Sequence, residues 1–124
     1  MKEEVKRWMD QAERDFKSAN NSFNIGDYYV ASLLCQQSVE KGLKAMYLKK
    51  FKEIKKIHNL VILAEDLKLP EKMIGECDKL NPIYIETRYP DASSDLPHEK
   101  YTQDKSQDDL NAADTILKWI RKKI

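Results

Sequence analysis

The chain has 124 residues and a mass of 14.6 kDa, room for one domain spanning 1–124. Surface scaling gives about 6,900 Å² accessible when folded against about 21,000 Å² extended, so a core can form without disulfides or metal. The residues are 41% hydrophobic and 35% charged, with 3 Gly and 4 Pro and a net charge of +1. That excludes the many hairpins of a sandwich or barrel and a global basic field for nucleic acid, and it suits long amphipathic helices.

Residues 3–23 read as the first helix. Val5, Met9, Ala12, Phe16, Ala19 and Phe23 lie on one side at 100° per residue, with Trp8 beside them. Gly26-Asp27 breaks the pattern, and Asp27 is a suitable N-cap for the next helix. Residues 27–50 form that second helix, about 36 Å long at 1.5 Å per residue. Its stripe of Tyr28, Cys35, Val39, Gly42, Leu43 and Met46 is widened by Ala31, Leu34, Ser38 and Ala45. An arc this wide touches several neighbours, which places the helix at the centre of a bundle. Gly42 costs about 1 kcal/mol relative to Ala in a helix interior. Either a close helix crossing or simple tolerance accounts for it.

Lys49 to Ile57 reads as a basic connector and Asn59 to Leu67 as a short helix with Leu60, Leu63, Ala64 and Leu67 inward. Pro70 is expected near the first position of a helix over 71–87, which Asn81-Pro82 must kink or split. Tyr89 to Tyr101, with Pro90 and Pro97, reads as a loop. The last helix spans 104–123 through Leu110, Ala113, Ile116, Leu117 and Ile120. Arg121, Lys122 and Lys123 suit its C-terminal dipole. The expected fold is all-α: an up-down antiparallel four-helix bundle plus one short helix.

Cys35 and Cys77 fall inside apolar patterns and read as small core residues. No apolar run is long enough to span a membrane, and MKEEVKRW is charged throughout and unlike a signal peptide, so the cytoplasm is the expected compartment. Charge is uneven along the chain. Lys41 to Lys56 holds seven lysines against Glu53 alone, and Glu86 to Asp114 holds eight acids against Arg88, Lys100 and Lys105.

No phosphate-binding glycine loop, zinc motif or Glu-x-x-His pair is present, so no metal or cofactor is expected. Two clusters remain. On the second helix Gln36, Gln37, Glu40 and Lys44 share the side opposite the core stripe with Tyr29, Leu33 and Tyr47. Tyrosine is favoured where a surface is apolar and its tip is wet, so this side reads as an interface or a ligand-facing wall. The second cluster is Thr87-Arg88-Tyr89-Pro90-Asp91. Arg88 offers a planar fork for phosphate or carboxylate, unless it pairs with Asp91 to fix the corner. His58 reads as packed or hydrogen-bonded at the start of the short helix, and His98 as an exposed loop residue.

These clusters carry a family resemblance. Trp8 with Ala12-Glu13-Arg14-Asp15 and Ala19, Gly26-Asp27-Tyr28, Gln36-Gln37 with Glu40-Lys41 and Leu43-Lys44-Ala45, His58-Asn59-Leu60, and Arg88-Tyr89-Pro90-Asp91 follow in order. Together they resemble the HEPN family (higher eukaryotes and prokaryotes nucleotide-binding domain), of the stand-alone prokaryotic or archaeal type. The resemblance implies a helical bundle paired as a homodimer. It also implies a nucleotide or RNA ligand, and a minimal nucleotidyltransferase as partner in a toxin–antitoxin-like pair. Gln37, Glu40, Lys41, Lys44, Arg88, Tyr89 and Asp91 are the expected nucleotide- or partner-binding residues, and Tyr29, Leu33, Gln36 and Tyr47 the expected dimer contacts.

Active members of that family are metal-independent ribonucleases with an Arg and a His close in sequence. There the His moves a proton and the Arg stabilises the phosphorane charge. In this chain nine residues separate Arg88 from His98, and Pro90 and Pro97 prevent a continuous helix between them. The expectation is therefore binding without efficient catalysis, with a ribonuclease using Arg88 and His98 as the alternative.

Overall fold

Glu3 and Glu4 open the first helix of the computed structural model, where acidic groups face the positive end of the helix dipole. The structure describes residues 2–124. Seven helices follow in chain order: α1 (Glu3–Asn24), α2 (Tyr28–Phe51), α3 (Leu60–Asp66), α4 (Glu71–Leu80), α5 (Ile83–Arg88), α6 (Pro97–Lys100) and α7 (Gln103–Lys123). Among the described residues there is no strand. The accessible surface is 7047 Å², close to the scaling expectation.

Helix α2 lies at the centre and packs against α1, α7, α3, α5 and α6. Its start is set by Gly26, whose φ of +84° reverses the chain at little steric cost. Asp27 takes the N-cap position but makes no side-chain capping bond. At the other end Lys52 adopts the left-handed conformation and its N–H bonds Leu48 O, so α2 runs to Phe51, into the start of the segment expected as connector. Gly42 marks a close crossing: a Cβ placed there would lie 3.1 Å from Ile120 Cδ1 and 3.3 Å from Leu117 Cδ2, both on α7. That resolves the two explanations for this glycine in favour of contact.

The expected core is present. Val5, Met9, Ala12 and Ala19 of α1, Cys35, Val39 and Leu43 of α2, and Leu110, Ala113, Ile116, Leu117 and Ile120 of α7 are all buried. Both cysteines are free and buried. Burial pushes both thiols up, Cys77 to about 12, so neither is a nucleophile at neutral pH. No helix is long and apolar enough to cross a membrane among the described residues.

Of the two outcomes expected at Asn81-Pro82, a kink or a split, the chain takes the split, into α4 and α5. Two boundaries differ from the sequence reading. Pro70 occupies the N-cap of α4, one place before the first helical residue. The expected 89–101 loop contains α6, a single turn with Pro97 at its first position, where the missing N–H costs nothing.

Candidate functional site

A polar cleft of about 210 Å³ opens where α5 and the segment before α3 meet the middle of α2. It is lined by Gln37, Glu40, Lys41, His58, Tyr84 and Arg88. Gln37, Glu40 and Lys41 come from consecutive turns of α2, and Tyr84 and Arg88 are one turn apart on α5.

The two asparagines of the connections hold His58 in place. Asn59 caps α3 by accepting from Ile62 N–H at 3.0 Å. Asn81, at the α4–α5 junction, accepts from Leu60 N–H at 2.8 Å and donates to Asn59 Oδ1 at 3.2 Å. Gln36, fully buried in α2, donates to His58 O at 3.4 Å. The residue before α3 is thereby fixed over α2 from two sides.

Glu40 is the hub. It accepts from Lys44 Nζ at 2.8 Å and Gln36 Nε2 at 3.0 Å, and His58 Nδ1 lies 3.0 Å from Oε2. Burial alone pushes its carboxyl up, but the hydrogen bonds from Lys44, Gln36 and His58 outweigh that, and its pKa falls below the usual carboxylate value. With Nδ1 committed to Glu40, the His58 ring stacks on Tyr84, with centroids 4.1 Å apart and 14° between planes. The Arg88 guanidinium carbon sits 4.6 Å from the Tyr84 ring centre. His58, Tyr84 and Arg88 therefore form a cationic and aromatic wall facing Lys41.

The far side of α5 is anchored separately. Glu86 accepts from Tyr101 Oη at 2.7 Å and pairs with Lys100. Burial pushes Glu86 up, and the bonds from Lys100 and Tyr101 bring it below the usual range. These contacts tie α5 to α6, so Tyr84 and Arg88 are held toward α2.

Several sequence expectations are corrected. The side of α2 read as an interface or ligand-facing wall keeps Gln37 and Glu40 on the cleft, but part of it is covered, since α3, α5 and α6 also pack on α2. Gln36 is 0% and Tyr47 8% exposed, so neither offers a dimer surface, while Tyr29 and Leu33 remain half-buried. Lys44 is 6% exposed and sits beneath the cleft as the partner of Glu40, also lying 5.9 Å from the Trp8 ring. Tyr89 and Asp91 are exposed beyond α5 and do not line the cleft. Arg88 makes no ion pair with Asp91 among the described residues.

His98 lies exposed on α6 and does not line the cleft, so the histidine beside Arg88 is His58. The sequence reading has His58 packed or hydrogen-bonded. It is hydrogen-bonded, and it shares the cleft with Arg88, each resting on the Tyr84 ring. Tyr84 is not among the site residues singled out from the sequence, although its one-turn distance from Arg88 is the available signal.

The HEPN domain model matches residues 5–123. Among solved structures, TT1696 from Thermus thermophilus superposes with a TM-score of 0.92 at 29% identity, over 99% of this chain and 100% of that one. ST0689, described as an archaeal HEPN homologue, superposes at 0.83 with 31% identity, over 99% and 98% of the two chains. A HEPN domain protein from Thermotoga maritima, tm0613, shares the fold at a TM-score of 0.72 and 21% identity, over 94% and 95%. No match was found among curated proteins. With the family model covering nearly the whole length, the chain belongs to the HEPN domain family.

Proposed function

We propose that the cleft binds a nucleotide through its phosphate, in a homodimeric HEPN protein without efficient catalysis of its own. The observation that carries this reading is Arg88. Its guanidinium rests on Tyr84 at the mouth of the cleft and has no carboxylate partner among the described residues. An unpaired planar fork beside Lys41 suits a phosphate group, and the exposed His58 ring offers a surface for a base or ribose.

Arg88→Ala should weaken AMP or ATP binding by about tenfold or more, the loss of a charge-assisted contact worth about 1.5–3 kcal/mol. Calorimetric titration measures this, with the helical circular dichroism unchanged. If Arg88→Ala unfolds the protein instead, Arg88 is a corner residue and the reading fails.

Dimerisation and a partner belong to the same proposal. Tyr29 and Leu33 are the two expected contacts still at the surface. Tyr89 and Asp91 lie in the chain between exposed Ile85 and Leu96, and this exposed segment suits a partner protein such as a minimal nucleotidyltransferase in a toxin–antitoxin-like pair. A stable pair should bury more than about 1,000 Å² in total. Light scattering at micromolar concentration should give twice 14.6 kDa. A species of 14.6 kDa alone would sink the dimer.

One observation favours a second reading. Glu40 holds His58 through Nδ1, and His58 and Arg88 both line the cleft against the Tyr84 ring, so a proton-transfer group and a charge stabiliser share one site. This replaces His98 of the sequence-based alternative by His58. RNA incubated with the protein in chelator should stay largely intact. Cleavage lost in both His58→Ala and Arg88→Ala would promote the ribonuclease reading over the binding one.

A further inference from the structure

Glu40, Lys41, His58 and Arg88 bring the charge to the cleft, and three of them are already engaged. Lys41 pairs with Asp15 of α1, and Glu40 is held by both Lys44 and His58. Arg88 is the one lining cation without a carboxylate partner among the described residues.

Asp15 decides the state of Lys41. It stands in the Ala12-Glu13-Arg14-Asp15 run of α1, outside the cleft lining and only 7% exposed. Its other oxygen accepts from Gln11 Nε2 at 2.8 Å. A carboxylate this buried is strongly destabilising once its cation leaves, so the pair persists and Lys41 brings little net charge to the cleft. Glu40 adds a constraint of the opposite sign. Hydrogen bonds from Lys44, Gln36 and His58 keep it ionised, so a second negative charge on a ligand meets a carboxylate in the wall. The volume of about 210 Å³ lies below the roughly 300 Å³ at which ligand pockets begin. A phosphate and the atoms attached to it fill such a space, which leaves a polyphosphate no room to avoid Glu40.

We propose that Asp15 is a positioning residue that sets the charge of the ligand: by holding Lys41 it leaves Arg88 as the single uncompensated cation, and the cleft prefers a singly charged phosphodiester to the dianionic phosphate of a mononucleotide. The inference rests on the phosphate-binding reading of the cleft and names the kind of phosphate.

Calorimetric titrations of the full-length protein at pH 8 test it. AMP is dianionic there, since a phosphate monoester loses its second proton near about pH 6. Its methyl ester and 3′,5′-cyclic AMP are diesters with one charge each. At least one diester should bind about threefold or more tighter than AMP, and ATP no tighter than AMP. A preference for the cyclic compound assigns a cyclic nucleotide, and one for the methyl ester a chain-linked phosphate. Asp15→Asn keeps the shape, removes the charge and frees Lys41 for the ligand. AMP should then tighten by about threefold or more while the favoured diester changes less, so the preference narrows or reverses. A merely structural Asp15 would move all the ligands together, which would overturn the proposal. Asp15→Ser is read in the same way if Asp15→Asn fails to fold. AMP or ATP binding more tightly than both diesters in the wild type would overturn this inference and leave the phosphate-binding reading standing. No saturable binding of any of the four would overturn both.

Discussion

Glu40→Ala is expected to destabilise the fold by about 3–5 kcal/mol, the cost of leaving one member of a buried ion pair without the other. Lys44 is the partner left behind. Its side chain is 7% exposed, and Glu40 is its sole carboxylate among the described residues. Gln36 and His58 lose an acceptor in the same substitution. Urea denaturation at pH 7 measures the loss. Glu40→Gln keeps the shape and removes the charge, which gives the pH dependence its sign. The Glu40 carboxyl is held below its unfolded value. Its ionised form therefore contributes stability above about pH 4.3, the unfolded value, and that contribution fades as pH falls through the lower folded value. The stability gap between wild type and Glu40→Gln should be full at pH 7 and shrink steadily in acid below about pH 4. A gap that widens in acid would contradict the assigned direction.

Leu117→Ala should cost about 2–5 kcal/mol, as for other fully buried leucines whose cavity cannot collapse. Leu117 is 0% exposed and its Cδ2 faces the bare backbone of Gly42. Two rigid helices frame the gap, so relaxation is limited. Gly42→Ala alone should change stability by about 1 kcal/mol or less, because a gain in helix propensity of about that size opposes the tight contacts. The double variant should be more stable than the sum of the two single effects, since the methyl added at position 42 would enter space vacated by Leu117. Coupling of about 0.5 kcal/mol or more is expected for neighbours in contact. Strict additivity would show that α2 and α7 do not meet at this point.

These two variants touch what the sequence did and did not disclose. Apolar periodicity announces α1, α2 and α7 to within a few residues, because each buries a stripe against the others and 3.6-residue spacing records that directly. The wide arc of α2 announces its central place. What periodicity does not show is the cover on its remaining side. Gln36, Lys44 and Tyr47 are polar in type and stand opposite the core stripe, yet all three are buried, Gln36 under the segment before α3 and Lys44 beside Trp8 of α1. Such burial depends on contacts between residues far apart in sequence, as in Gln36 with His58 and Glu40 with His58. The cleft is half legible for the same reason. Gln37, Glu40, Lys41 and Arg88 stand out by residue type and pattern. His58 and Tyr84 do not, because their roles arise only when Asn59 and Asn81 clamp the connection and Asn81-Pro82 splits the helix. His98 draws attention by its proximity to Arg88 in sequence, but the turn at Pro97 places it on α6, outside the cleft.

The central claim is that the α2–α5 cleft, rather than another concavity, receives a nucleotide phosphate. A larger, more open groove of about 610 Å³ on α1 and α2 also includes Lys41, together with Arg7, Trp8, Asp10 and Gln11. A ¹⁵N chemical-shift titration of the full chain with AMP separates the two. Saturable shifts are expected at Gln37, Lys41, His58, Tyr84 and Arg88, and in Arg88→Ala those that remain should need about tenfold more AMP or beyond. Shifts centred on Arg7, Trp8 and Gln11 and unchanged in Arg88→Ala, or no saturable shift at all, would contradict it.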